Sequence, residues 1–129
     1  MSRVNAAARG FPGIATPHET AVQSLSAEAL ELRAQVEAGS PIYRGGLFGT
    51  NAAAEGQYWA PELPTSPTYS SRYGIASFTE PNFVLGGTLR PGATFVTRPA
   101  PGLGVQPGGA LEIVSDPGAV IIDFFHMLE

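Results

Sequence analysis

The stretch FVLGGTLRPGATFVTRPAPGLGVQPGGALEIVSDPGAVIIDFF, residues 83–125, decides the fold. Apolar runs alternate in it with turns: Phe83–Leu89, Thr94–Thr97, Ala110–Val114 and Ala119–Phe125. Pro91-Gly92 and Asp116-Pro117-Gly118 supply the turns, because proline presets φ and glycine accepts positive φ. Short runs joined this way predict antiparallel strands. Ala119–Phe125, apolar almost throughout, reads as a last buried strand. Working upstream, Pro41 opens a short strand at Ile42–Arg44, and Tyr58–Ala60 reads as another. Residues 61–81 form a long Pro/Ser/Thr/Tyr loop with one helical turn near Ser70–Tyr73, and a loop that long is usually functional. Further upstream, Val22, Leu25, Ala29, Leu32 and Val36 recur at helical steps. Thr16-Pro17-His18-Glu19 has the form of a capping box, Ser26 offers a second start, and Gly39 a stop. The expectation is one α+β domain over 1–129. Residues 1–15 are loose, 16–39 helical, and 41–125 a compact, mostly antiparallel sheet core.

Composition narrows the function. The 129 residues carry 16 Gly and 12 Pro interleaved with apolar runs, which suits ordered loops more than disorder. A net charge of −4 argues against a broad electrostatic grip on nucleic acid. A local patch of Arg44, Arg72, Arg90 and Arg98 stays open, since all seven basic residues are arginine. No cysteine means no disulfide, no thiolate nucleophile and no zinc-finger site, and no metal-ligand cluster stands out. No apolar run reaches the roughly 18 residues of a membrane span, so no membrane partner is expected. The opening MSRVNAAARGFPG lacks the apolar core of a secretion signal. If the chain is cut from a larger exported protein, that signal lies elsewhere.

The chemistry-bearing residues are few. Arg44 follows Tyr43 at a strand end and precedes Gly45-Gly46, where missing side chains allow close approach and a guanidinium can fork onto phosphate. The plain alternative is a surface arginine beside a turn. Tyr58 and Tyr69, with ten residues between them, could sandwich a flat ring, with Trp59 or Tyr73 packing behind; the alternative is that these aromatics fill the core, and for Trp59 the core reading wins. Glu112 interrupts the apolar strand Ala110–Val114, where an unpartnered buried carboxylate is costly. Alternation puts it on one face with Ala110, opposite Leu111 and Ile113. Arg98 is a second cation, able to meet a phosphate or to pair with Glu112. His18 and His126 read as structural or exposed, though His126 with Glu112 and an arginine would make a metal-independent ribonuclease site.

An arginine on a first strand, a Gly-x-Tyr-aromatic-Ala strand at Gly56–Ala60, the Tyr58/Tyr69 pair and a late-strand Glu112 resemble an ADP-ribosyltransferase-type site. The tyrosine pair is similar to that of the diphtheria-toxin-like and poly(ADP-ribose)-polymerase-like transferases. Size and style resemble the C-terminal toxin domains of bacterial polymorphic toxins of the Rhs and contact-dependent kinds. The resemblance covers residues 41–114 through a handful of positions. It implies a split-sheet ADP-ribosyltransferase fold and NAD as substrate, with no metal. Arg44, with Tyr43, Gly45 and Arg98, would bind the dinucleotide; Tyr58, Trp59 and Tyr69 would bind nicotinamide; Glu112 would stabilise the oxocarbenium-like cation. It also implies a monomer delivered as part of a larger secreted toxin and acting in the cytoplasm of a target cell. There it would modify a protein or RNA acceptor, and a cognate immunity protein would neutralise it. The family's arginine-modifying class has Glu or Gln two residues before its catalytic Glu; here Ala110 stands there. Acceptors left open are another side chain, a nucleic acid, or water, the last making an NAD glycohydrolase. A non-enzymatic interaction domain with its aromatics in the core is the remaining reading.

Overall fold

A computed structural model describes residues 11–46, 56–75 and 81–128. Its elements are β1 (Ile14–Ala15), β2 (Thr20–Ala21), α1 (Ala27–Glu37), β3 (Ile42–Gly46), β4 (Tyr58–Trp59), α2 (Tyr69–Arg72), β5 (Phe83–Leu89), β6 (Phe95–Pro99), β7 (Leu111–Ser115) and β8 (Val120–Met127). The fold is α+β, and all strand pairings among the described residues are antiparallel. Beside the β1–β2 hairpin stand two three-stranded sheets, ordered β3-β5-β8 and β4-β7-β6. A bridge between Tyr43 and Ala60 stitches the sheets together, with N–H to O distances of 2.7 and 2.9 Å.

Alternation along the strands builds the core between α1 and the sheets. Leu32 and Val36 of α1 meet Ile42, Trp59, Phe95, Ile113 and Val120. Leu32 and Val36 lie one helical turn apart, so the helix presents a single stripe. Each strand lends alternate residues: on β7, Ile113 enters this core while Val114 joins Ile14, Ala21 and Val96 on the opposite face. Turn chemistry performs as the sequence implies in the Asp116–Ala119 turn, where Gly118 takes φ +76°.

The N-terminal third departs from expectation. Residues 16–39 are not helical throughout, and only α1 is a helix there. Ser26 caps it, accepting the Ala29 N–H at 3.1 Å, and Gly39 follows its end at φ +101°. Thr16-Pro17-His18-Glu19 is the turn of the β1–β2 hairpin instead. Thr16 Oγ1 accepts the N–H groups of His18 (3.2 Å) and Glu19 (3.1 Å), the bonds a helix cap would also make. A short hydroxyl-braced turn and a helix start share this local chemistry. Tertiary anchoring of Gln23 decides between them: it is buried, donates to Thr97 Oγ1 (2.6 Å) and accepts the Thr97 N–H (2.9 Å). The loose segment 1–15 lies outside the described residues up to residue 10, and its end forms β1.

β8 also departs from expectation. It is a strand, but an outer one and mostly exposed: only Val120 is buried, while Phe125 is 54% exposed. The register shifts between Gly86 and Gly87, leaving Asp123 as an extra residue on β8.

Candidate functional site

A cavity of about 720 Å³ opens between the two sheets, the hairpin turn and α2. Its walls include Arg44, Gly45, Tyr58, Trp59, Tyr69, Arg98 and Glu112, together with His18 and Glu19. Arg44, Tyr58 and Glu112, far apart in the chain, therefore share one wall, because β4 and β7 pair in register (Tyr58 with Val114, Trp59 with Ile113) and the Tyr43–Ala60 bridge brings in β3.

Glu112 lies on the central strand of its sheet and is 6% exposed. The register sets it opposite Arg98 on β6, and Arg98 Nε donates to Glu112 Oε2 at 3.0 Å. Arg98 Nη2 stands 2.7 Å from Glu19 Oε2, a contact of charge more than of hydrogen-bond angle. One guanidinium thus bridges two carboxylates. Burial pushes the Glu112 carboxyl above its ordinary value; Arg98 pulls the other way, and Glu19 adds to the rise. The Glu19 carboxyl is held low, chiefly by its contact with Arg98. Arg98 does not stand as a free cation for a phosphate: its charge is taken up by Glu112 and Glu19.

Arg44 is held differently. Its Nη1 donates to the Tyr58 carbonyl at 2.9 Å, and among the described residues no carboxylate pairs with it. Its Nε is buried without a hydrogen-bond partner. Burial lowers the guanidinium's pKa, though Arg stays charged at any working pH. Gly56 lies against it so closely that a Cβ there would overlap the guanidinium. This arginine is the cavity's uncompensated cation among the described residues.

The aromatics divide. Tyr69 is 8% exposed, and its ring stands 4.6 Å from that of Tyr73, tilted 38°. Burial first, then nearby Glu62, raises the Tyr69 phenol to about 12, so it stays a neutral hydroxyl in the cavity wall. A brace lies behind it. Glu62 receives two bonds from Arg72, at 2.7 and 2.9 Å, and one from the Tyr73 hydroxyl at 2.8 Å. Tyr58 lines the cavity while also packing on Ile14, Val96 and Val114. Trp59 is a core residue, 2% exposed among Ile42, Phe95 and Ile113, with Nε1 donating to the Gly56 carbonyl.

Tyr43 does not line the cavity. Neighbours on a strand face opposite ways, so with Arg44 turned to the cavity the Tyr43 ring packs edge-on against Phe124, 5.8 Å away. Gly45 does line it, but the space its missing side chain leaves is taken up by Pro81. His126 stacks on Phe124 of β8, away from Glu112, so the ribonuclease grouping is not assembled. The four-arginine patch is not assembled either, since Arg72 pairs with Glu62 and Arg98 with Glu112. His18 and Glu19 were hidden in the sequence by the helix-start reading of their turn. Among the described residues no group of His, Asp or Glu could hold a metal ion.

The chain matches no protein-family model, no curated protein and no solved structure.

Proposed function

We propose that the chain is an NAD-cleaving toxin domain of ADP-ribosyltransferase type. The observation that carries the reading is the convergence, in one cavity, of an arginine with no carboxylate partner among the described residues, a buried tyrosine and a buried carboxylate. The two sheets joined at Tyr43–Ala60 agree with a split-sheet ADP-ribosyltransferase core.

Arg44 would hold the dinucleotide phosphates or ribose through its guanidinium. Tyr69, backed by Tyr73, would stack on nicotinamide, with Tyr58 on the opposite side. The bond between ribose C1 and the nicotinamide nitrogen then breaks. Nicotinamide leaves neutral with the bonding pair, and the ribose is left as an oxocarbenium-like cation. The Glu112 carboxylate, whose ionised form Arg98 favours against the cost of burial, would stabilise that cation. An acceptor nucleophile adds to C1 and releases its proton. The acceptor is a protein side chain or a nucleic acid in a target cell, and the resemblance that motivates the reading implies a larger exported toxin and an immunity protein. The second reading keeps the same site with water as acceptor, making an NAD glycohydrolase.

The test is nicotinamide release from NAD labelled in its adenylate part, with and without bacterial lysate, for wild type and Glu112→Ala. Release lost in the variant, with label fixed on a macromolecule, is the expected result. Release without labelled product selects the glycohydrolase. No release from wild type under either condition removes the NAD reading.

A further inference from the structure

Three elements meet at Arg98, and its partners have unequal exposure. Glu112 is buried, with its side chain 8% exposed, while the side chain of Glu19 is 40% exposed. Glu19 is fixed all the same. Thr16 takes its N–H at 3.1 Å and donates to its carbonyl at 2.9 Å, and the chain beyond the hairpin is bound to β6 through Gln23–Thr97 and through Ser24 N–H to Thr97 O, 3.0 Å. β6 therefore carries both the residue that receives the hairpin's anchor, Thr97, and the residue that receives its carboxylate, Arg98.

We propose that Glu19 is a positioning residue of the cavity, which shares Arg98 with Glu112 and so sets how firmly the Glu112 carboxylate is held at the centre of the wall. With Glu19 present, Arg98 directs Nε to Glu112 and Nη2 to Glu19. Without it, the fork is free to close on Glu112 with both nitrogens, the geometry that binds a carboxylate most strongly. The charge of Glu19 also acts directly, opposing ionisation of Glu112. Other groups facing the same space are Arg44 from β3, Tyr58 from β4, Tyr69 from α2 and His18 from the hairpin turn. The role of Glu19 in catalysis rests on the NAD reading; its hold on Glu112 through Arg98 does not.

The experiment separates the two. The Glu112 carboxyl is titrated by ¹³C NMR in the free protein, wild type against Glu19→Gln and Glu19→Asp, alongside pH profiles of nicotinamide release. The expected result is a lower titration midpoint for Glu112 in Glu19→Gln, with Glu19→Asp close to wild type. The acid limb of nicotinamide release moves the same way, raising the relative rate one pH unit below the wild-type midpoint roughly twofold or more. A Glu112 midpoint unmoved in Glu19→Gln overturns the proposal, as it would if Glu19 served only to pin the hairpin. Thr16→Ala, which loosens the turn but keeps the carboxylate, is expected to shift the midpoint in the same direction by less. If wild type releases no nicotinamide, the NAD reading fails and the NMR midpoints still decide the coupling.

Discussion

Replacing Arg98 by methionine tests the electrostatics at the centre of the cavity. Side-chain exposures of 10% for Arg98 and 8% for Glu112 mark a buried pair. Removing one partner from such a pair costs about 3–5 kcal/mol, because the other charge stays buried without compensation. Glu19 adds little to the loss, since its side chain, 40% exposed, can turn to water. With a urea slope of about 2 kcal/mol per M for a domain of this size, the midpoint should fall by about 2 M. The single tryptophan, Trp59, lies in the core at 2% exposure and reports unfolding by fluorescence. Acid should soften the loss. In the wild type, burial already raises the folded Glu112 carboxyl above its unfolded value, and without Arg98 the rise is greater. The folded variant then binds more protons than the unfolded chain across the carboxylate range and just above it, so its stability climbs as pH falls through that window. Adding Glu112→Leu to Arg98→Met removes the stranded charge and should recover most of the stability, as when buried ion pairs are replaced by apolar residues. A loss under about 1 kcal/mol at pH 7, or one that does not diminish in acid, would refute the buried-pair argument.

Three further outcomes follow from the same geometry. Glu112→Gln should keep the fold, because Arg98 retains Glu19, yet lower nicotinamide release by about 10²–10³-fold; a single-turnover assay with matched urea curves separates the two effects. Gly56→Ala drives a Cβ into the Arg44 guanidinium, so it should cost about 1–3 kcal/mol by overpacking and weaken NAD binding, measured by calorimetry on the folded variant. Glu62 is held below the usual carboxylate value, first by Arg72, so it lends stability that is present above the unfolded pKa and lost as pH falls through the folded one. In Glu62→Gln that part of the acid loss should vanish from urea curves taken from pH 6 downward.

Much of the sheet was legible because strand alternation and turn chemistry are local. Phe83–Leu89 is found at the bounds the sequence implies, Asp116-Pro117-Gly118 makes its turn, and Tyr69–Arg72 supplies the helical turn near Ser70. Glu112 stood out by the same logic, as one carboxylate in an apolar strand. Misreadings came where one local pattern serves two ends. The hydroxyl of Thr16 bonds the same pair of amides in a hairpin turn as in a helix cap, and only the long-range Gln23–Thr97 bonds decide. Apolar residues on both parities made Ala119–Phe125 look buried. Burial depends on whether another layer packs on the sheet's faces at β8, and pattern alone is silent on that. Tyr43 adjoins Arg44 in sequence, yet adjacent strand residues face apart, and it packs on Phe124 outside the cavity.

What the sequence could not hold is the sharing of one cavity by Arg44 and Glu112, and the structure makes its cause small. The antiparallel register Tyr58–Val114 and Trp59–Ile113 runs on to bring Ala60 toward Glu112, and Ala60 is also the residue bridged to Tyr43. One residue, buried and short enough to lie between two sheets, thereby fixes the separation of the arginine strand from the glutamate strand. A larger side chain at Ala60, which is 2% exposed beside Tyr69, Tyr73 and Ala100, would have to push into the tyrosine wall or part the bridge. The cavity's chemistry thus depends on a residue with no chemistry of its own. Pattern reading passes over such a residue because its importance lies in the meeting of two strand pairings, one with Tyr43 and one continuing from Trp59–Ile113.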